Sequence, residues 1–72
     1  MVNVADLNGL PASVKEVTTD VLSQHGLLRA GEKLVKVLGD GDISRPLKVT
    51  ASRFSSSAKE KIEKAGGQAV VA

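Results

Sequence analysis

Apolar and polar residues alternate in short runs along this chain, and hydroxyl and glycine signals interrupt the runs at regular points. Val2-Asn3-Val4 alternates as a short strand does, and Asp6-Leu7-Asn8-Gly9-Leu10-Pro11 ends it with turn residues. Residues 14–17 form a further extended segment. Thr18 or Thr19 then caps a helix through residue 25, with Asp20 in the first turn and Gly26 as its stop. Residues 33–38 (KLVKVL) read as a strand with Val35 and Val37 on one face and Leu34, Lys36 and Leu38 on the other. Gly39-Asp40-Gly41-Asp42 reads as a tight hairpin or loop turn, and Pro46 biases Arg45 away from helix. Residues 47–51 (LKVTA) predict a strand with Leu47, Val49 and Ala51 inward.

The strongest helical pattern lies at 58–65 (AKEKIEKA). Ala58, Ile62 and Ala65 make its apolar stripe, and Ser57 with Glu60 has capping-box spacing. Gly66-Gly67 closes it, and residues 68–71 return to extended chain. Segments 14–38 and 47–71 share one order: extended chain, hydroxyl cap, short helix, glycine, extended chain. Neither is large enough to bury its own helix, so the two are expected to stack as one α/β domain.

Composition removes several functions. The chain has 72 residues, enough for one domain with a thin core. It has no Cys, one His, one Phe and neither Trp nor Tyr. Disulfides, thiolate zinc sites, Cys catalysis and a platform of stacked aromatics are therefore excluded. No apolar run is long enough to span a bilayer, and residues 1–10 lack the pattern of a secretory signal.

Charge is unevenly placed. Residues 29–64 carry nine cations against five acids, whereas the rest of the chain is net negative. A basic segment suits a polyanion, because each neutralised phosphate releases counterions. The richest part, 45–61, holds Arg45, Lys48, Arg53, Lys59 and Lys61 against Glu60 alone. Ser55, Ser56 and Ser57 open the helix within it, and unpaired amides at a helix start attract phosphate. Phe54 is assigned to the core rather than to base stacking.

Other constellations are poor. Gly39–Asp42 lacks the third glycine of a dinucleotide fingerprint and the spacing of an EF-hand loop. His25 and Ser23 lie two apart on one helix and face different ways, which does not make a catalytic pair. The serines at 55–57 have no nearby His and are better explained as caps.

Val35-Lys36-Val37-Leu38-Gly39-Asp40-Gly41, Leu47-Lys48-Val49 and the run from Phe54 through Ser55-Ser56-Ser57-Ala58-Lys59 to Gly66-Gly67 closely resemble the C-terminal half of the bacterial large-subunit ribosomal protein fifteen family, with its archaeal and eukaryotic eighteen-e relatives. Residues 2–8 and 17–26 resemble the portion that precedes it. The resemblance implies an α/β fold, a small irregular β-β-α superhelical domain with two short helices packed on a short-stranded sheet. It also implies a non-enzymatic structural constituent of the large subunit that binds rRNA, with no cofactor and no metal. Ser55, Ser57, Lys59, Gly66 and Gly67 match the family's motif. The expected RNA-binding set, drawn from charge and helix-end chemistry, is Arg45, Lys48, Arg53, Ser55, Ser56, Ser57 and Lys59.

Family members ordinarily carry a long basic N-terminal arm, and residues 1–72 are expected to be a single globular domain without it. Such a chain would be a shortened form, or a re-created or designed minimal version, with low and steeply salt-dependent RNA affinity. The expected partners are large-subunit rRNA and neighbouring ribosomal proteins, with no membrane. The expected location is the cytoplasmic ribosome, or alternatively an organellar one. Two rival readings remain: a self-associating interaction module using the Val70-Val71 edge, and a metal- or nucleotide-binding fragment using Gly39–Asp42.

Overall fold

The computed structural model describes residues 1–29, 32 and 34–72. Strand β1 (Val2–Asn3) stops at Asn3, whose extended backbone is the N-cap of a one-turn helix, α1 (Val4–Leu7). Asp6 Oδ2 accepts the Asn3 amide at 2.9 Å. The turn puts Val4 and Leu7, three residues apart, on one buried face. The strand expected through Val4 is thereby corrected: bending into a capped turn buries both side chains, where an extended chain would have pointed them to opposite faces.

Strand β2 (Glu16–Val17) runs into α2 (Thr19–Gln24), capped by Thr18 Oγ1, which accepts from the Val21 amide at 3.3 Å. Gly26, at φ 74°, ends the helix in the left-handed conformation expected of it. Its amide donates to Ser23 and that of Leu27 to Leu22, so the last carbonyls are satisfied. Of the strand expected at 33–38, Lys33 lies outside the described residues and β3 (Lys36–Leu38) is the observed part.

The remaining elements are β4 (Lys48–Ala51), β5 (Arg53–Phe54), α3 (Ser56–Lys64) and β6 (Gln68–Val71). Helix α3 begins two residues before the expected 58–65. Its cap is Ser55, not Ser57, because the Ser55 amide donates to the Val37 carbonyl at 2.9 Å and holds Ser55 extended at the end of β5. The Ser57–Glu60 capping box is therefore absent.

The strands divide by parity into two parallel sheets, β1-β3-β5 and β2-β4-β6. Val2, Val37 and Phe54 are register partners across the first, and Val17, Val49 and Ala69 across the second. The chain thus winds through three stacked turns, each giving one strand to each sheet. This replaces the expected pair of repeated halves on one sheet with, among the described residues, three turns, two sheets and three helices. The second turn hid from the helix–glycine pattern because a loop, not a helix, joins β3 to β4.

That loop is not a hairpin, since β3 and β4 lie in different sheets. It is wedged between helices. A Cβ on Gly41 would collide with Ala5 of α1, and one on Gly39 with Ser57 of α3. The Ala5 amide donates to the Asp40 carbonyl at 3.2 Å, and Asn8 Nδ2 to the Asp42 carbonyl at 2.7 Å. Val2, Val37, Val17, Val49, Leu47 and Ile62 form the middle of a core whose buried members are all apolar. Phe54 is half-buried against that core, as assigned.

Candidate nucleic-acid interface

The expected RNA-binding residues meet only in part. At the junction of β5 and α3, Arg53 is exposed at the start of β5, and Ser55, Ser56, Ser57 and Lys59 occupy the cap and first turn of the helix. Ser55 Oγ accepts from the Ala58 amide at 3.1 Å and lies 3.3 Å from Ser57 Oγ. The amides of Ser56 and Ser57 hold the first two helical positions, which have no acceptor within a helix. The loop at Gly39 closes one side of this helix start: a Cβ there would lie 2.9 Å from the Ala58 nitrogen. The other side, with Ser56 and Lys59, faces a shallow depression shared with Glu60, Glu63 and Lys64. Two carboxylates moderate the positive charge on that face.

Arg45 is placed elsewhere. Its Nη1 donates to the carbonyls of Leu7 and Leu10 at 3.2 and 2.6 Å, and its Nη2 to those of Pro11 and Val14 at 2.6 and 3.1 Å. Both terminal nitrogens are thus spent on backbone. The guanidinium fork fixes the segment between α1 and β2, and does not extend toward solvent as a phosphate contact would require. Lys61 is likewise consumed, donating to the carbonyls of Gly39 and Gly41 at 2.6 and 2.5 Å. Lys48 lies on the second sheet and sits 3.8 Å from Glu16 Oε1, with both side chains more than half exposed.

One cation was not in the expected set. Lys36 is the register partner of Arg53 across β3 and β5, and both are exposed. The alternation in residues 33–38 places Lys36 outward, but Arg53–Phe54 is too short to read as a strand. The sequence therefore gives no sign that these two cations are neighbours.

No helix among the described residues is long and apolar enough to cross a membrane. Among the described residues no three His, Asp or Glu side chains are grouped to hold a metal ion. Asp40 and Asp42 are exposed, and the glycines between and beside them serve helix packing.

A three-turn stack of short parallel strands, with cations and unpaired helix-start amides exposed at one strand–helix junction, is a geometry that can receive an anion. The family whose description is ribosomal proteins 50S-L15, 50S-L18e and 60S-L27A matches residues 1–70. Over all 72 residues the chain is 65% identical to the large ribosomal subunit protein uL15 of Opitutus terrae, covering 49% of that protein. It is 54% identical over 72 residues to uL15 of Corynebacterium glutamicum, covering 48% of it. It is 51% identical over 70 residues to uL15 of Treponema denticola, covering 47% of it. The chain belongs to this ribosomal protein family. It spans about half the length of the curated relatives it matches.

Proposed function

We propose that this chain is a structural part of the large ribosomal subunit in the cytoplasm, holding rRNA by its sugar–phosphate chain at the β5–α3 junction and packing beside neighbouring ribosomal proteins. The observation that carries the reading is that exposed Arg53 stands in the strand directly before a helix start where Lys59 and the Ser56 and Ser57 amides are also exposed, in a chain of this family. Arg53 offers paired donors to phosphate oxygens, Lys59 a point charge, and the helix start two amides and a positive dipole end. Ser55 holds the amides in place by capping the helix. Lys48 adds charge from the second sheet, lessened by Glu16. Arg45 has no share in the contact, because its donors are engaged. Such contacts position an RNA and carry little base identity.

The test is filter binding of large-subunit rRNA fragments to the chain in low and moderate salt. Arg53→Ala with Lys59→Ala is expected to weaken binding about tenfold or more and to lower the salt slope by roughly two. Absence of binding at low salt, or an unchanged affinity in the double variant, would overturn the reading.

A further inference from the structure

The first residues of the β3 and β5 strands are Lys36 and Arg53, and those of β2, β4 and β6 are Glu16, Lys48 and Gln68. In each sheet these residues are register partners and point outward from the same pleat position. The second sheet thus presents an acid, a base and a neutral amide, with Glu16 and Lys48 at ion-pair distance. The first presents two cations side by side on strands about 4.8 Å apart. Like charges directly opposite on adjacent strands destabilise a sheet. Among the described residues neither is in an ion pair, the one pair being that between Lys48 and Glu16, and the single carboxylate lining their groove is that of Glu32. Residues 30, 31 and 33, outside that description, include no acid.

The surroundings are equally specific. Lys36 and Arg53 line one groove with Ser52, Glu32 and Leu34. Ser52 Oγ is occupied by the Val35 amide at 3.3 Å, and Glu32 Oε2 lies 3.4 Å from the Arg29 amide. Leu34 stands 79% exposed beside the two cations. A groove with two cations against one carboxylate, and with an apolar shelf, is complementary to a segment with a compact negative charge and an apolar flank.

We propose that Lys36 and Arg53 form a two-cation clamp on one RNA phosphodiester, with the adjoining ribose resting against Leu34. The clamp rests on the rRNA-binding reading above and deepens it by adding Lys36 and the outer face of the first sheet to the contact. Arg53 donates two parallel hydrogen bonds to the phosphate oxygens, and Lys36 neutralises the same group from the neighbouring strand. The like-charge repulsion that the free chain carries is relieved when the phosphate is bound.

The decisive variant is Lys36→Glu, which gives the first sheet the acid–base pairing of the second. Thermal unfolding and filter binding to a large-subunit rRNA fragment are measured on the same preparations. The clamp requires opposite outcomes: the melting temperature rises by a few degrees, and RNA affinity falls about tenfold at 0.1 M salt. A residue important only for folding would move both in the same sense. Lys36→Ala and Arg53→Ala, combined, should lose less affinity than the product of the single losses, because the two side chains share one phosphate. If the parent chain binds the fragment and Lys36→Glu binds it equally well, the clamp is overturned while the rRNA-binding reading stands. If the parent chain does not bind at low salt, both are overturned. Strictly multiplicative losses would also overturn the clamp, by showing two separate contacts.

Discussion

The first sheet is built from strands of two, three and two residues, the second from strands of two, four and four. Both stack the same three turns, and both bury a valine at the centre, Val37 in one and Val49 in the other. Their outer rows differ. The second sheet pairs opposite charges and has a four-residue register between β4 and β6. The first has short strands, adjacent cations and an exposed leucine at its flank. Cohesion and the charge proposed to bind RNA are therefore separated onto the two sheets of one thin core. A domain of this size has a net stability of only a few kcal/mol. It tolerates a repulsive charge pair more readily where it does not also depend on that sheet for most of its backbone pairing.

The separation can be broken most severely at Gly67, where β6 enters the second sheet. A Cβ there would meet the Leu47 oxygen and nitrogen, the nitrogen at 2.8 Å, and these are backbone atoms that cannot turn aside. The Gly67 amide also donates to Ile62 at 3.0 Å to close α3, and the Gln68 amide to Leu47 at 3.0 Å to start β6. Gly67→Ala is expected to cost about 3 kcal/mol, measured by urea unfolding, and so to unfold much of the population. Gly39→Ala should cost less, since part of its obstruction is the Ser57 side chain.

A middle-sized effect is expected at Arg45, which fastens residues 7–14 and through them the edge strand β2. Arg45→Ala removes a donor from the carbonyls of Leu7, Leu10, Pro11 and Val14, of which Leu7 and Pro11 keep a backbone amide, and should cost about 1–2 kcal/mol. The loss should be local. Hydrogen exchange at the Lys48 amide, which donates to Lys15 at 2.9 Å, should quicken, and exchange at the Ser55 amide, bonded to Val37 at 2.9 Å, should change little. RNA affinity per folded molecule should stay as it was. A fall in affinity without local loosening would return Arg45 to the RNA contact.

Residues with local signals were legible in the sequence. Thr18, Gly26, Gly66 and the Ala58–Ile62 stripe act through neighbours three or four positions away, and the structure places each as the spacing requires. The inward face of 47–51 follows from period two alone, and Leu47, Val49 and Ala51 are all buried. Illegible parts depend on partners distant in sequence. Arg45 and Lys61 look like surface cations until carbonyls 20 to 38 residues away are brought to them. The two-residue β5 has no period to detect, and with it went the pairing of Lys36 with Arg53. The family likeness supplied the superhelical class but neither the split into two sheets nor which cations remain free.

The smallest effect sharpens the comparison from the other side. Glu16→Lys gives the second sheet the like-charge row of the first, next to Lys48. The lost ion pair is exposed, so the stability cost should be no more than about 1 kcal/mol. The exposed apolar side chain of the second sheet, Val71, pairs with Ala51, three register positions from Lys48, so the added cation should raise RNA affinity only through its charge. Binding should strengthen a few-fold in low salt, and the gain should disappear in moderate salt. The contrast with Lys36→Glu is then direct: one exchange stabilises the fold and weakens binding, and the other does the reverse. If Glu16→Lys bound RNA as strongly in moderate salt as the first sheet is expected to, then charge alone would define the contact, and the shape of the Leu34 groove would contribute nothing.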